Sequence, residues 1–137
     1  MKSIYSRSEK FDLQLSKALI CERRLAEVFA FGSFDTTLEL KSESYQWRRT
    51  GNIAIEYRRN GKPSGISTTQ AHYWVHELCD DADQTLLYLV VPMSRMKELA
   101  REAVRAGKFV KGCGDDNLSD IALIDVASLL TLAKATP

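Results

Sequence analysis

Between Asp35 and Tyr57 the chain reads DTTLELKSESYQWRRTGNIAIEY, and two segments of this stretch alternate as strands do. Successive side chains of a strand point to opposite faces. In the first segment Leu38 and Leu40 share one face, and Asp35, Thr37, Glu39, Lys41 and Glu43 share the other. In the second, Ile53, Ile55 and Tyr57 form the apolar face, with Asn52, Ala54, Glu56 and Arg58 opposite. The linker from Ser44 to Gly51 is short enough for an antiparallel return. Pairing of the two strands would superpose their polar faces and let Glu39, Lys41 and Glu56 meet.

A lysine held among carboxylates has a chemical use. Carboxylate oxygens hold a hard cation such as Mg²⁺, which keeps several waters. The cation polarises a phosphoryl group and activates a bound water, and a nearby lysine orients that water or offsets developing charge. The plainer account of Glu-x-Lys on a strand is a solvated face with a cross-strand ion pair. The triplet alone does not decide between them.

At 137 residues the chain is expected to form one domain, residues 1–137, with a core large enough to need no staples. Its 45% apolar and 27% charged content is that of an ordinary soluble globular protein. The net charge of +1 provides no global basic field, but Arg48, Arg49, Arg58, Arg59 and Lys62 cluster around the central stretch. Such a patch can attract a polyanion even at near-zero net charge. Three widely spaced cysteines, Cys21, Cys79 and Cys113, argue against a disulfide scaffold and suit a reducing compartment. The N-terminal residues lack an apolar signal-peptide core, and the run Leu86–Met93 is too short to span a bilayer. A cytoplasmic protein without a membrane partner is expected.

Along the chain, spacings of three and four predict a helix over about 9–30. Glu22 falls on its apolar stripe with Leu15, Ala18, Leu19, Leu25 and Ala26. A carboxylate there is costly unless it is paired or binds a metal; a position at the stripe's margin is the bland account. Asn60-Gly61 predicts a turn, and Pro63 confines the short strand that follows to an edge or bulge. His72–Leu78 and Thr85–Val91 read as strands, the second placed deep in the sheet because it is almost wholly apolar. Ser94 is the expected N-cap of a helix over about 95–106 that Gly107 closes. A short strand at Ile121–Val126 and a helical turn at 127–133 end the pattern. The fold class is α/β (α+β): about five strands in a mixed central sheet, preceded by one helix and flanked by a second.

Other constellations are weaker. His72, His76 and Cys79 invite a zinc reading, but residues four apart on a strand lie roughly 13 Å apart. No nucleophile context surrounds any cysteine, so cysteine hydrolase chemistry has less support still. Tyr45 and Trp47 could stack on a base or merely cover a core edge.

Five motifs occur in order: Glu-Arg-Arg-Leu from Glu22, Leu-Glu-Leu-Lys-Ser-Glu from Leu38, Thr-Gly-Asn-Ile-Ala-Ile-Glu-Tyr from Thr50, Ser-Gly-Ile from Ser64, and Ala-His-Tyr-Trp-Val from Ala71. Together they resemble small phage-type nucleases of the PD-(D/E)XK superfamily, the restriction-endonuclease-like fold that includes Holliday-junction resolvases. The resemblance covers about residues 20–126 and is most specific in the central third. It implies a Mg²⁺- or Mn²⁺-dependent phosphodiesterase acting on DNA. By the same resemblance Glu39 binds metal, Lys41 stands beside the attacking water, and Glu22 matches a first-helix acid. The superfamily's separate upstream aspartate is missing. Asp35 is the nearest candidate but lies on the same strand as Glu39, so Glu56 is favoured as second carboxylate.

Two function classes follow. The first is a metal-dependent DNA endonuclease, resolvase-like in being structure-selective, with catalytic Lys41, Glu39 and Glu56 and metal ligands among Glu22, Glu39, Glu56 and Asp35. The second is an inactive module of the same fold that grips nucleic acid or a host protein. Phosphate contacts are assigned to Arg48, Arg49, Arg58, Arg59 and Lys62, and a homodimer is left open.

Overall fold

The computed structural model describes residues 15–23 and 37–131. Residues 15–23 are helical (α1). Then follow β1 (Leu38–Glu43), α2 (Gln46–Thr50), β2 (Asn52–Arg59), β3 (Lys62–Pro63) and a 3₁₀ turn at Gly65–Ser67. β4 (Tyr73–Cys79), β5 (Thr85–Pro92), α3 (Met93–Arg105), β6 (Phe109–Cys113), β7 (Ser119–Asp125) and α4 (Val126–Thr131) complete the order. The protein is a mixed α+β structure, with helices packed on strands.

Among the described residues the strands form two sheets, where a single mixed sheet was expected. One is ordered β1-β4-β5, the other β3-β2-β7-β6. β1 runs parallel to β4, pairing Leu38 with Tyr73 and Glu43 with Leu78. β2 is antiparallel to β7. The expected β1–β2 hairpin therefore does not form. Its linker folds instead into α2, which Gly51 closes in the left-handed conformation, its N–H donating to the Trp47 carbonyl at 2.8 Å. Trp47 is thereby turned inward, its indole N–H donating to the Cys79 carbonyl at 2.8 Å. It covers an edge of the core.

The hairpin signals further along hold. Asn60 and Gly61 both take positive φ, 49° and 75°, as a two-residue turn of this type requires. Pro63 lies in the edge strand β3, where its missing N–H costs no ladder bond. Helix α3 buries Met93, Met96, Leu99, Ala100 and Ala103. These join Ile53 and Ile55 of β2, Ala122 and Ile124 of β7, and Trp74 and Leu78 of β4 in one core. The helix starts at Met93 directly after Pro92, two residues before the expected start, so Ser94 is inside it rather than capping it. β6 was not anticipated, and α4 begins one residue earlier than read.

Two burial expectations change. β5 lies at a sheet edge, and Leu86 and Val90 are about half exposed, at 49% and 48%. A continuous apolar run is compatible with either position, because it does not specify what covers each face. In α1, Leu15 and Leu19 are exposed and Cys21 is the buried residue, so Glu22 does not lie on a buried stripe. The remainder of the expected helix over 9–30 lies outside the described residues. Among the described residues no helix is long and apolar enough to cross a membrane.

Candidate functional site

β1 is an edge strand, so one row of its backbone N–H and C=O groups has no strand beyond it. Alternation puts Glu39, Lys41 and Glu43 on the face shared with Trp74, His76 and Leu78 of β4. Lys41 Nζ stands 3.5 Å from Glu39 Oε1, with the lysine half exposed and the glutamate about one-third exposed. The Thr69 hydroxyl approaches Glu39 Oε2 at 3.4 Å. Both contacts are long for hydrogen bonds, so the Glu39 carboxylate keeps most of its acceptor capacity.

Glu43, on the same face, is committed to holding the sheets together. Its Oε1 accepts from the Ala54 N–H of β2 and lies 3.3 Å from His76 Nε2. His76 is buried, and its Nδ1 accepts from the Trp74 indole at 3.0 Å. An indole N–H can only donate, so the proton of an uncharged His76 resides on Nε2, facing Glu43. His72 is occupied elsewhere, its Nδ1 accepting from the Thr37 N–H at 3.1 Å. The two histidines thus serve different partners, and the zinc grouping is not assembled.

A cleft of about 580 Å³ opens between α1 and the edge of this sheet. Glu22, Lys41, Ser42 and Glu77 line it. Glu77 was not singled out in the sequence, yet it is 2% exposed. Its oxygens accept from Cys21 of α1, from the Thr85 hydroxyl and, at 3.5 Å, from the Tyr88 hydroxyl. The available signal was a carboxylate within the otherwise apolar β4, where a charge survives only with several donors.

Glu56 sits apart from this cleft. It belongs to β2 in the second sheet, and its carboxylate accepts from Ser64 at 3.0 Å and Ser119 at 2.6 Å. Arg59 is 4.0 Å away. The β1–β2 pairing that was expected to bring Glu39, Lys41 and Glu56 together is absent, because parity sets a side chain's face but not its sheet. Among the described residues no three His, Cys, Asp or Glu side chains are placed to hold a metal ion. Asp35 lies outside the described residues.

The five basic residues also separate. Arg48 and Arg49 are exposed in the last turn of α2. Arg59 is tied to Asp116 and donates to Ser119 at 3.1 Å, beside Glu56. Lys62 is exposed on β3, and Arg58 faces a groove beside α3. Of the cysteines, Cys21 contacts Glu77, and Cys79 Sγ lies 3.6 Å from the Ser42 hydroxyl. Compared with known proteins, the chain matches no family model, no curated protein and no solved structure.

Proposed function

We propose that the protein is a divalent-metal-dependent DNA endonuclease of the PD-(D/E)XK kind, with its reactive groups at the edge of β1. The observation that carries this reading is the Glu39–Lys41 pair at 3.5 Å, with Lys41 also lining a cleft beside Glu22 and the buried Glu77. A restriction-endonuclease-like ancestry agrees with the parallel β1–β4 pair carrying the Glu-x-Lys triplet. It remains part of the proposal.

The donor set suits a hard cation. Mg²⁺ in phosphoryl-transfer sites is usually held by one or two carboxylates, with substrate oxygens and waters completing the shell. A cluster of three protein ligands is therefore not required. Glu39, with its loosely engaged oxygens, is the residue to hold it; Glu22 lines the cleft on the face of Ser42 and Glu77. Glu56, bonded at 2.6 and 3.0 Å, is already occupied. When bound, the cation supplies charge on the phosphoryl oxygens and a more acidic water.

The chain's own residues have separate tasks. The Lys41 ammonium presents a charge to the phosphate and can orient a water through its three donors. Glu39 holds that ammonium near the strand. Glu77, anchored by Cys21 and Thr85, keeps α1 docked on the sheet so that Glu22 stays by the cleft.

The test is a cleavage panel with plasmid, single-stranded and four-way-junction DNA in Mg²⁺, Mn²⁺ or EDTA. Metal-dependent cutting by the wild type that Lys41→Ala lowers at least about 100-fold is the expected result. Undiminished cutting by Lys41→Ala overturns the site. Binding without cutting under every metal condition overturns the enzyme reading and leaves the nucleic-acid-binding module.

A further inference from the structure

The strongest unassigned feature is a groove of about 600 Å³ between α3 and the β2–β3 hairpin. Arg58, Lys97, Arg101 and Arg105 line its walls, and Pro63 and Ile66 contribute to an apolar floor. No Asp or Glu is among the described residues lining it, and none of the four cations forms an ion pair with a described residue. Four like charges gathered around one depression repel one another. The arrangement is therefore best satisfied by an anionic ligand.

The length of the cationic row identifies the class of anion. Lys97, Arg101 and Arg105 succeed one another at intervals of one helical turn, so their stems span about 12 Å along α3. One phosphate cannot bridge that distance, whereas a strand offering a phosphate at each nucleotide can. The apolar floor then chooses between nucleic-acid forms. A duplex turns its phosphates outward and keeps its base faces stacked inside, so it would leave the floor wet. A single strand can lay sugar and base surface on it while its phosphates meet the cations.

One end of the groove touches the candidate site. Lys97 Nζ donates to the Thr69 carbonyl at 3.0 Å, and the Thr69 hydroxyl approaches Glu39 at 3.4 Å. Thr69 thus touches both the end of the cationic row and the Glu39 carboxylate.

We infer that this groove binds the backbone of a single-stranded nucleic acid and leads it toward β1. The inference takes only the nucleic-acid class from the proposed function and does not depend on cutting. It is tested by fluorescence anisotropy in EDTA, with a labelled oligonucleotide of about 20 nucleotides, single-stranded or annealed to its complement. Arg101→Ala with Arg105→Ala should weaken single-strand binding at least tenfold. It should also flatten the slope of log affinity against log salt by about 1.4, the share of two phosphate contacts on a single strand. Arg101→Lys with Arg105→Lys should retain most of the affinity, and melting curves of both variants should overlay the wild type because both arginines are exposed.

Three outcomes overturn the inference. The first is unchanged affinity and slope in the alanine variant. The second is duplex binding as tight as single-strand binding and equally weakened by the alanine pair. The third is displacement of the oligonucleotide by a free nucleotide at similar concentration, which would make the groove a small-ligand site. Binding is read in EDTA, where no metal-dependent cutting takes place, so failure of the cleavage reading and failure of the groove are read separately.

Discussion

Gly65 approaches the backbone of Glu56 so closely that a methyl group on its Cα would lie 3.1 Å from the Glu56 carbonyl carbon and nearer still to the oxygen. It does so at a φ of +54°, where L side chains are strained. Ser64 beside it bonds the Glu56 carboxylate, and Ile66 enters the core. The Ser-Gly-Ile motif is thus a clamp on β2. Gly65→Ala is expected to cost more than about 2 kcal/mol, read by urea unfolding, through combined strain and overlap.

The two glutamates of the central stretch should separate by phenotype. Glu56→Gln weakens the acceptor of Ser64 and Ser119 and is expected to cost about 1–2 kcal/mol of stability. Glu39→Gln, whose contacts are long, should leave the melting temperature nearly unchanged and abolish metal-dependent cleavage. Thermal unfolding of both variants beside the cleavage panel checks this. Equal loss of stability in both would remove the distinction between anchor and reactive acid.

Glu77→Ala should be the most disruptive change near the cleft. It strips a buried acceptor from Cys21, Thr85 and Tyr88 at once, and a loss of about 2–4 kcal/mol is expected. Because Cys21 is on α1, the variant should also expose backbone amides of residues 15–23 to faster hydrogen exchange than those of β7.

Tyr57 gives stability an alkaline dependence. Its pKa is raised above 10.0 by burial and then by the nearby Asp120 carboxylate, with Arg58 opposing. An acid with a higher pKa in the fold than in the unfolded chain holds its proton more tightly when folded. The corresponding stability is complete below about pH 10 and is lost as pH climbs through the raised value. Tyr57→Phe should make the loss of stability above pH 10 shallower, as measured by melting temperature across an alkaline series.

Local chemistry was readable where neighbours in sequence decide it. Asn60-Gly61, the edge position of Pro63, the alternation of Ile53 and Ile55, and the apolar stripe Met96, Leu99, Ala100 and Ala103 all follow from local rules. Partnership between strands was not readable, because β1 chooses β4 over β2 through contacts across the whole core. The Glu39–Lys41 pair could be read from parity, whereas the location of Glu56 could not. Glu77 and the row Lys97, Arg101, Arg105 were present as patterns. The first stood inside an apolar strand, and the second lies on the polar side of α3, where a charge row reads as a solvated surface.

The parallel pairing of β1 with β4 has a kinetic consequence. Between Leu38 and its partner Tyr73 lie β2, β3 and the 3₁₀ turn, all of which belong to the other sheet or its clamp. β2 in turn waits for β7, from near the far end of the described chain. Closing two such interleaved long loops costs entropy before any contact returns it, which slows folding. The strand carrying Glu39 and Lys41 therefore depends on long-range closure, and a nascent chain released before β7 emerges would hold the reactive pair without the partner that completes the second sheet.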